Sequence, residues 1–116
     1  MAKAPKMSSA VVSVLETFLE RPRSARYGLE LGAATGLASG TIHPVLARLE
    51  AAGWVESQWE SVDPSAVGRP RRRFYRLTPA GAEQARTALA GVAARQARLR
   101  RRLAGPVASP PLPDEA

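Results

Sequence analysis

A mainly α fold with one small β-hairpin is what the sequence predicts, on three observations. Two amphipathic helical segments flank a glycine turn at Gly36, and the second opens on Ser39-Gly40-Thr41. Two alternating stretches, Trp54 to Glu60 and Arg73 to Thr78, are joined by an arginine-loaded loop. A run from Pro79 to about Leu103 then repeats apolar positions at steps of three and four. A helix-turn-helix followed by a basic hairpin is the layout of a winged helix, continued here by a long C-terminal dimerisation helix.

The elements follow in chain order. Residues 1–7 read as a flexible basic arm, 8–78 as the winged-helix unit, 79–103 as the long helix, and 104–116 as a disordered Pro-rich tail without periodicity. Ser8 and Ser9 are N-cap candidates, because a hydroxyl there can accept an orphan backbone N–H. Val11, Val14, Leu15, Phe18 and Leu19 form one stripe, and Pro22 ends the helix. Arg23 to Arg26 is extended. A second helix covers about Tyr27 to Ala34, with Leu29 inward and Leu31 or Ala33 beside it. Gly36 sits where a left-handed residue is wanted, and Leu37 plugs the turn.

Ser39 is expected to cap a third helix that reaches Ala52 and stops at Gly53. Ile42, Val45, Leu46 and Leu49 face inward; Ser39, Thr41, His43, Pro44, Ala47 and Arg48 face outward. Pro44 removes one helical hydrogen bond and presses on the carbonyl of Gly40, the most permissive residue available for that strain. In the hairpin, Trp54 and Trp59 read as packing residues. Thr78-Pro79 is an N-cap followed by proline at the first helical position. Ala82, Ala85, Leu89, Val92, Gln96, Leu99 and Leu103 form the heptad seam of a helix roughly 37 Å long, expected to hold a homodimer together.

Charge narrows the function. Seventeen Lys and Arg against ten Asp and Glu leave +7, and fifteen of the seventeen are arginine. Arginine's planar fork suits phosphates and guanine edges. The chain has no cysteine and one histidine. That excludes disulfides, thiolate zinc sites and cysteine nucleophiles, and with no spaced carboxylate pair no catalytic set emerges. No cofactor is implied. No apolar run approaches the ~20 residues of a membrane span, and the first residues lack the apolar core of a signal peptide. The expectation is a cytoplasmic protein.

The candidate site is a surface for double-stranded DNA. The Ser39-Gly40-Thr41 start offers free N–H groups, a favourable helix dipole and side chains short enough for a major groove. His43, Pro44 and Arg48 share that face. Arg69, Arg71, Arg72 and Arg73 crowd the hairpin loop, where mutual repulsion makes an anionic partner a better explanation than folding stability. Arg26 precedes the second helix, Tyr27 opens it, and both join the set. Arg95, Arg98, Arg100, Arg101 and Arg102 form a second cluster, which the helix C-terminal dipole also explains. A small apolar effector near Trp54, Trp59 or the long helices is a further partner class compatible with such a dimer. A protein-binding adaptor is the alternative to DNA binding, and exposed apolar residues on the third helix would favour it.

The run YGLEL…TGLASGTIHPVLARLEAAGWVES…GRPRRRFYRLTPAG resembles the PadR family of bacterial transcriptional regulators. That family shows a Tyr-Gly pair, a Gly-Thr-Leu-Tyr-Pro-like recognition helix and an Arg-Tyr-Tyr-x-Leu-Thr strand. The likeness spans about Tyr27 to Leu89. It implies a winged helix that binds operator DNA as a homodimer, usually to repress, and the single long last helix resembles the family's shorter branch. Two departures stand out: His43 replaces the usual Tyr, and the wing is longer and richer in arginine. The phenolic-acid sensing of the founding members is not carried over, since no residue identifies an effector.

Overall fold

Ser8 does cap the first helix. In the computed structural model, which describes residues 3–105, its Oγ accepts the Val11 N–H at 3.2 Å, and α1 runs Ser9–Glu20. Strand β1 (Arg26–Tyr27) leads directly into α2 (Gly28–Thr35), which ends on Gly36 at φ 75°. Then come α3 (Ser39–Ala51), β2 (Val55–Trp59), a short α4 (Pro64–Val67), β3 (Arg73–Leu77) and α5 (Pro79–Ala104). The strands form one antiparallel sheet in the order β1-β3-β2, with Val55 opposite Leu77 and Trp59 opposite Arg73.

The core is the set of stripes read from the periodicity. Val11, Val14, Leu15 and Phe18 of α1 meet Ile42, Val45, Leu46 and Leu49 of α3, and Trp54, Val55 and Leu77 close the sheet side. Three expectations need correction here. Leu29 is 74% exposed and Ala33 is exposed, while Leu31 takes the inward place. Residues 29 and 31 lie about 200° apart around a helix, so a short α2 cannot turn both inward. Trp59 is 56% exposed, because the far end of β2 extends past the core; only Trp54 is buried. Ser39 is the first helical residue rather than the cap: Ala38 holds the extended cap position and contributes no side-chain bond.

A short helical turn, α4, stands inside the loop expected between the strands, and Asp63-Pro64 carries the same cap-then-proline signal as Thr78-Pro79. Asp63 Oδ1 accepts the Ser65 N–H at 3.0 Å, Pro64 follows, and Gly68 ends the turn at φ 70°.

Helix α5 is fastened at its start. Thr78 Oγ1 accepts the Gly81 N–H at 2.8 Å and donates to the Gly53 carbonyl at 2.8 Å. Gly81 lies so close to the Trp54 backbone that a Cβ would overlap its carbonyl. This docking corrects the expected seam. Ala82 and Ala85 are 8% and 0% exposed within the protomer's own core, and Leu89 packs partly against it. Beyond Val92 the helix leaves the domain: Gln96 is exposed, as are Leu99 and Leu103 at 52% and 78%. At the other end, Met7 packs on the core, so the base of the basic arm is docked. The tail expected over 104–116 lies outside the described residues except for Ala104, which is helical, and Gly105. No helix among the described residues is long and apolar enough to cross a membrane.

Candidate nucleic-acid interface

The outward face of α3 is laid out as its periodicity requires. Ser39, Gly40, Thr41, His43, Pro44, Ala47 and Arg48 are all exposed, opposite the buried Ile42, Val45, Leu46 and Leu49. With no side-chain cap, the Ser39 and Gly40 N–H groups have no acceptor among the described residues, and the first turn closes through Ala38, whose carbonyl accepts from Thr41 and Ile42. Free N–H groups at a helix start attract an anion through both hydrogen bonding and the dipole. Gly40 has open space where a Cβ would stand and no positive φ. Packing within the protein therefore does not demand glycine there; close approach of an outside backbone would. His43 is placed by α2, because its Cε1 lies 3.3 Å from where a Cβ on Gly28 would stand.

The wing is the β2–β3 hairpin, and its root is a clamp on Glu60. The Glu60 N–H donates to the Arg72 carbonyl at 2.7 Å. Its carboxylate accepts the Arg72 N–H at 3.2 Å and both terminal nitrogens of Arg69, at 2.6 and 3.0 Å. The Arg69 hydrogen bond, helped by the Arg72 N–H and by both positive charges, holds the Glu60 carboxyl down to about 2 against a smaller desolvation penalty. Arg69 is raised in turn by the same bond. A bidentate guanidinium–carboxylate pair of this kind fixes orientation as well as charge.

The remaining wing arginines also have partners. Arg71 Nε donates to the Val62 carbonyl at 2.9 Å. The Arg72 guanidinium lies over the Tyr27 ring, 4.4 Å from its centre, and that ring meets Phe74 edge-on at 5.5 Å. Arg73 donates to Ser57 Oγ through Nε and Nη2 at 3.0 and 2.8 Å and sits 3.6 Å from Glu50 on α3. Its guanidinium also faces the Trp59 ring at 5.3 Å. The expectation that folding stability explains the cluster poorly is thereby corrected for Arg69 and Arg73. Arg69 and Arg73 brace the wing against carboxylates. Arg71 donates to a carbonyl and Arg72 lies over a ring, and neither forms an ion pair among the described residues.

Arg26 is also corrected. Its side chain is 15% exposed and turned toward Glu20 at 3.8 Å, with a buried Nε that has no hydrogen-bond partner among the described residues. It is half-buried and turned toward α1 rather than open on the surface assigned to it. Sequence reasoning missed Glu60, Ser57, Glu50 and Gly28. The register would have revealed the first, because Trp59 opposite Arg73 puts Glu60 across from Arg72. The Arg95 to Arg102 cluster is exposed along the last turns of α5.

A polar, uncapped helix start beside a cationic hairpin, both carried on one small core, defines a winged-helix DNA-binding protein. Residues 22–87 match the transcriptional regulator PadR-like family, and the chain belongs to that family. It is a transcriptional regulator, not an enzyme. No curated protein matches it. Among solved structures, a PadR family transcriptional regulator from Eggerthella lenta is 21% identical, covering 82% of this chain and 85% of that one with a TM-score of 0.66. A transcriptional regulator homologue from Pyrococcus horikoshii is 18% identical over 79% of this chain and 84% of its own, with a TM-score of 0.63. The PcaV regulator of Streptomyces coelicolor, solved with its natural ligand, is 23% identical over 93% and 68%, with a TM-score of 0.61. At these identities the likeness is one of fold.

Proposed function

We propose that this regulator acts in the cytoplasm as a repressor, binding a pseudo-palindromic operator as a homodimer. In this reading α3 lies in the major groove and the wing follows the adjacent backbone. The observation that carries it is the start of α3, where two N–H groups without a partner among the described residues, Ser39, Thr41 and a glycine with open space face outward together. Thr41 and His43 reach base edges; Arg48, Arg71 and Arg72 reach phosphates. The exposed apolar residues on α3, which an adaptor role would favour, are the small Pro44, Ala47 and Ala51.

The dimer rests on the outer half of α5, where Leu99 and Leu103 are exposed and Val92 is only partly buried among the described residues. An isologous pairing buries the same stripe twice, and two-fold symmetry then sets half-sites one helical turn apart or a multiple of it. Repression follows from occupancy, since a dimer seated on an operator excludes other proteins from it. A small apolar effector has a candidate site in the cleft of about 910 Å³ between the N-terminal segment and α5, lined by Met7, Trp54, Thr87 and Ala88 among others. Enrichment of duplexes from a genomic pool, followed by footprinting and a reporter assay, tests the reading. Two symmetric protected half-sites and lowered transcription are expected; contact with a single half-site counts against it.

A further inference from the structure

Tyr27 and Gly28, adjacent in the chain, each face a different element of the proposed DNA-binding surface. Tyr27 sits at the junction of β1 and α2. Its backbone is fixed twice, by pairing opposite Phe74 in the sheet and by its N–H donating to Glu30 Oε1 at 3.1 Å. Its ring, held edge-on by Phe74, presents a face to the Arg72 guanidinium of the wing at 4.4 Å. One residue on, Gly28 faces the His43 imidazole of α3, whose Cε1 lies 3.3 Å from where a Cβ on Gly28 would stand. The φ of Gly28 is not positive, so the backbone there does not require glycine. A Cβ there would push the His43 ring by a few tenths of an ångström.

We propose that Tyr27-Gly28 is a positioning pair that sets the aim of Arg72 and His43 relative to each other, and so couples wing to recognition helix. The inference rests on the proposed DNA-binding reading and goes beyond it. Neither residue has to touch DNA. A long arginine side chain on a hairpin visits many rotamers, and a flat ring beneath its guanidinium keeps a subset of them. A Cβ at position 28 would press on His43 at 3.3 Å, and an exposed ring gives way by tilting. Gly28→Ala therefore re-aims His43 at little cost to folding.

The test is a pair of double-mutant cycles on the full chain, with a duplex enriched from a random pool by the wild type. Gly28→Ala should lower the preference for that duplex over a scrambled one by about twofold or more, and should have no further effect in a His43→Ala background. Tyr27→Leu should weaken binding roughly two- to fivefold and lose that effect in an Arg72→Ala background. Tyr27→Phe, which keeps the ring, should restore what Tyr27→Leu loses. His43 is the only histidine in the chain, so its Cε1–H proton resonance reports the Gly28 contact without DNA and should shift in Gly28→Ala. Thermal unfolding of each variant checks that the fold persists; should Tyr27→Leu not fold, the Gly28–His43 cycle and resonance decide alone. Additive effects in the cycles, or an unmoved His43 resonance, overturn the inference while leaving DNA binding intact. A wild type that enriches no sequence overturns the DNA-binding reading and this inference together.

Discussion

Replacing Leu99 and Leu103 together by alanine should dissociate the protein without unfolding it. The two side chains are 52% and 78% exposed. Fully covering a leucine is worth about 1.5–3 kcal/mol, so covering what remains in water is worth about 2–4 kcal/mol per protomer, and about twice that for a symmetric pair. Alanine forfeits most of this, and the dimer dissociation constant should rise on the order of a hundredfold or more. The protomer itself should be unaffected. Neither residue belongs to the buried core, and alanine is the better helix former. Sedimentation over a concentration series reads the dissociation constant, and circular dichroism checks that the helix persists. Operator affinity should fall in step, because the second half-site loses its effective concentration. A double variant that stays dimeric with unchanged affinity would show that another surface pairs the chains, and would refute the argument from the uncovered stripe.

Three further outcomes are expected. Gly81→Ala should destabilise the domain by about 1–3 kcal/mol in denaturant melts, because its Cβ meets the fixed Trp54 carbonyl; an unchanged midpoint would mean that α5 shifts freely. Arg71→Ala and Arg72→Ala should each flatten the logarithmic salt dependence of DNA binding by about 0.9 per lost phosphate contact. Arg69→Ala, whose charge is already met by Glu60, should leave that slope unchanged, and equal slopes for all three variants would contradict the division of roles. The Glu60 clamp should survive mild acid: a carboxyl lowered from 4.5 to about 2 contributes fully above the unfolded value and is lost as pH falls from 4.5 through about 2. Following the neighbouring Trp59 fluorescence through that window should show a transition that Glu60→Gln abolishes; a transition near pH 6 would place the clamp elsewhere.

What the sequence by itself determined is the part of this protein set by neighbours along the chain. The α1 and α3 stripes, the Ser8 and Thr78 caps, the Gly36 turn and the alternating strands depend on periods of 3.6 and 2 and on hydrogen bonds within a few residues. The exposed face of α3 follows from the same geometry. Only the tertiary structure decided which groups meet across the fold. The Ala82 and Ala85 positions of the seam read as dimer contacts because a heptad does not say which protein covers it; docking of α5 on Trp54 turns them into the protomer's own core. The sequence shows the arginines of the wing as one cluster at positions 69, 71, 72 and 73, without the partner that each one takes. Their differences come from partners 9 to 16 residues away, Glu60 for Arg69 and Ser57 for Arg73, chosen by strand register. Leu29 and Leu31 looked alike until α1 and α3 selected one face of a two-turn helix. Composition cannot encode these outcomes locally, because each is settled by which surfaces remain free once the longer helices and the hairpin have packed.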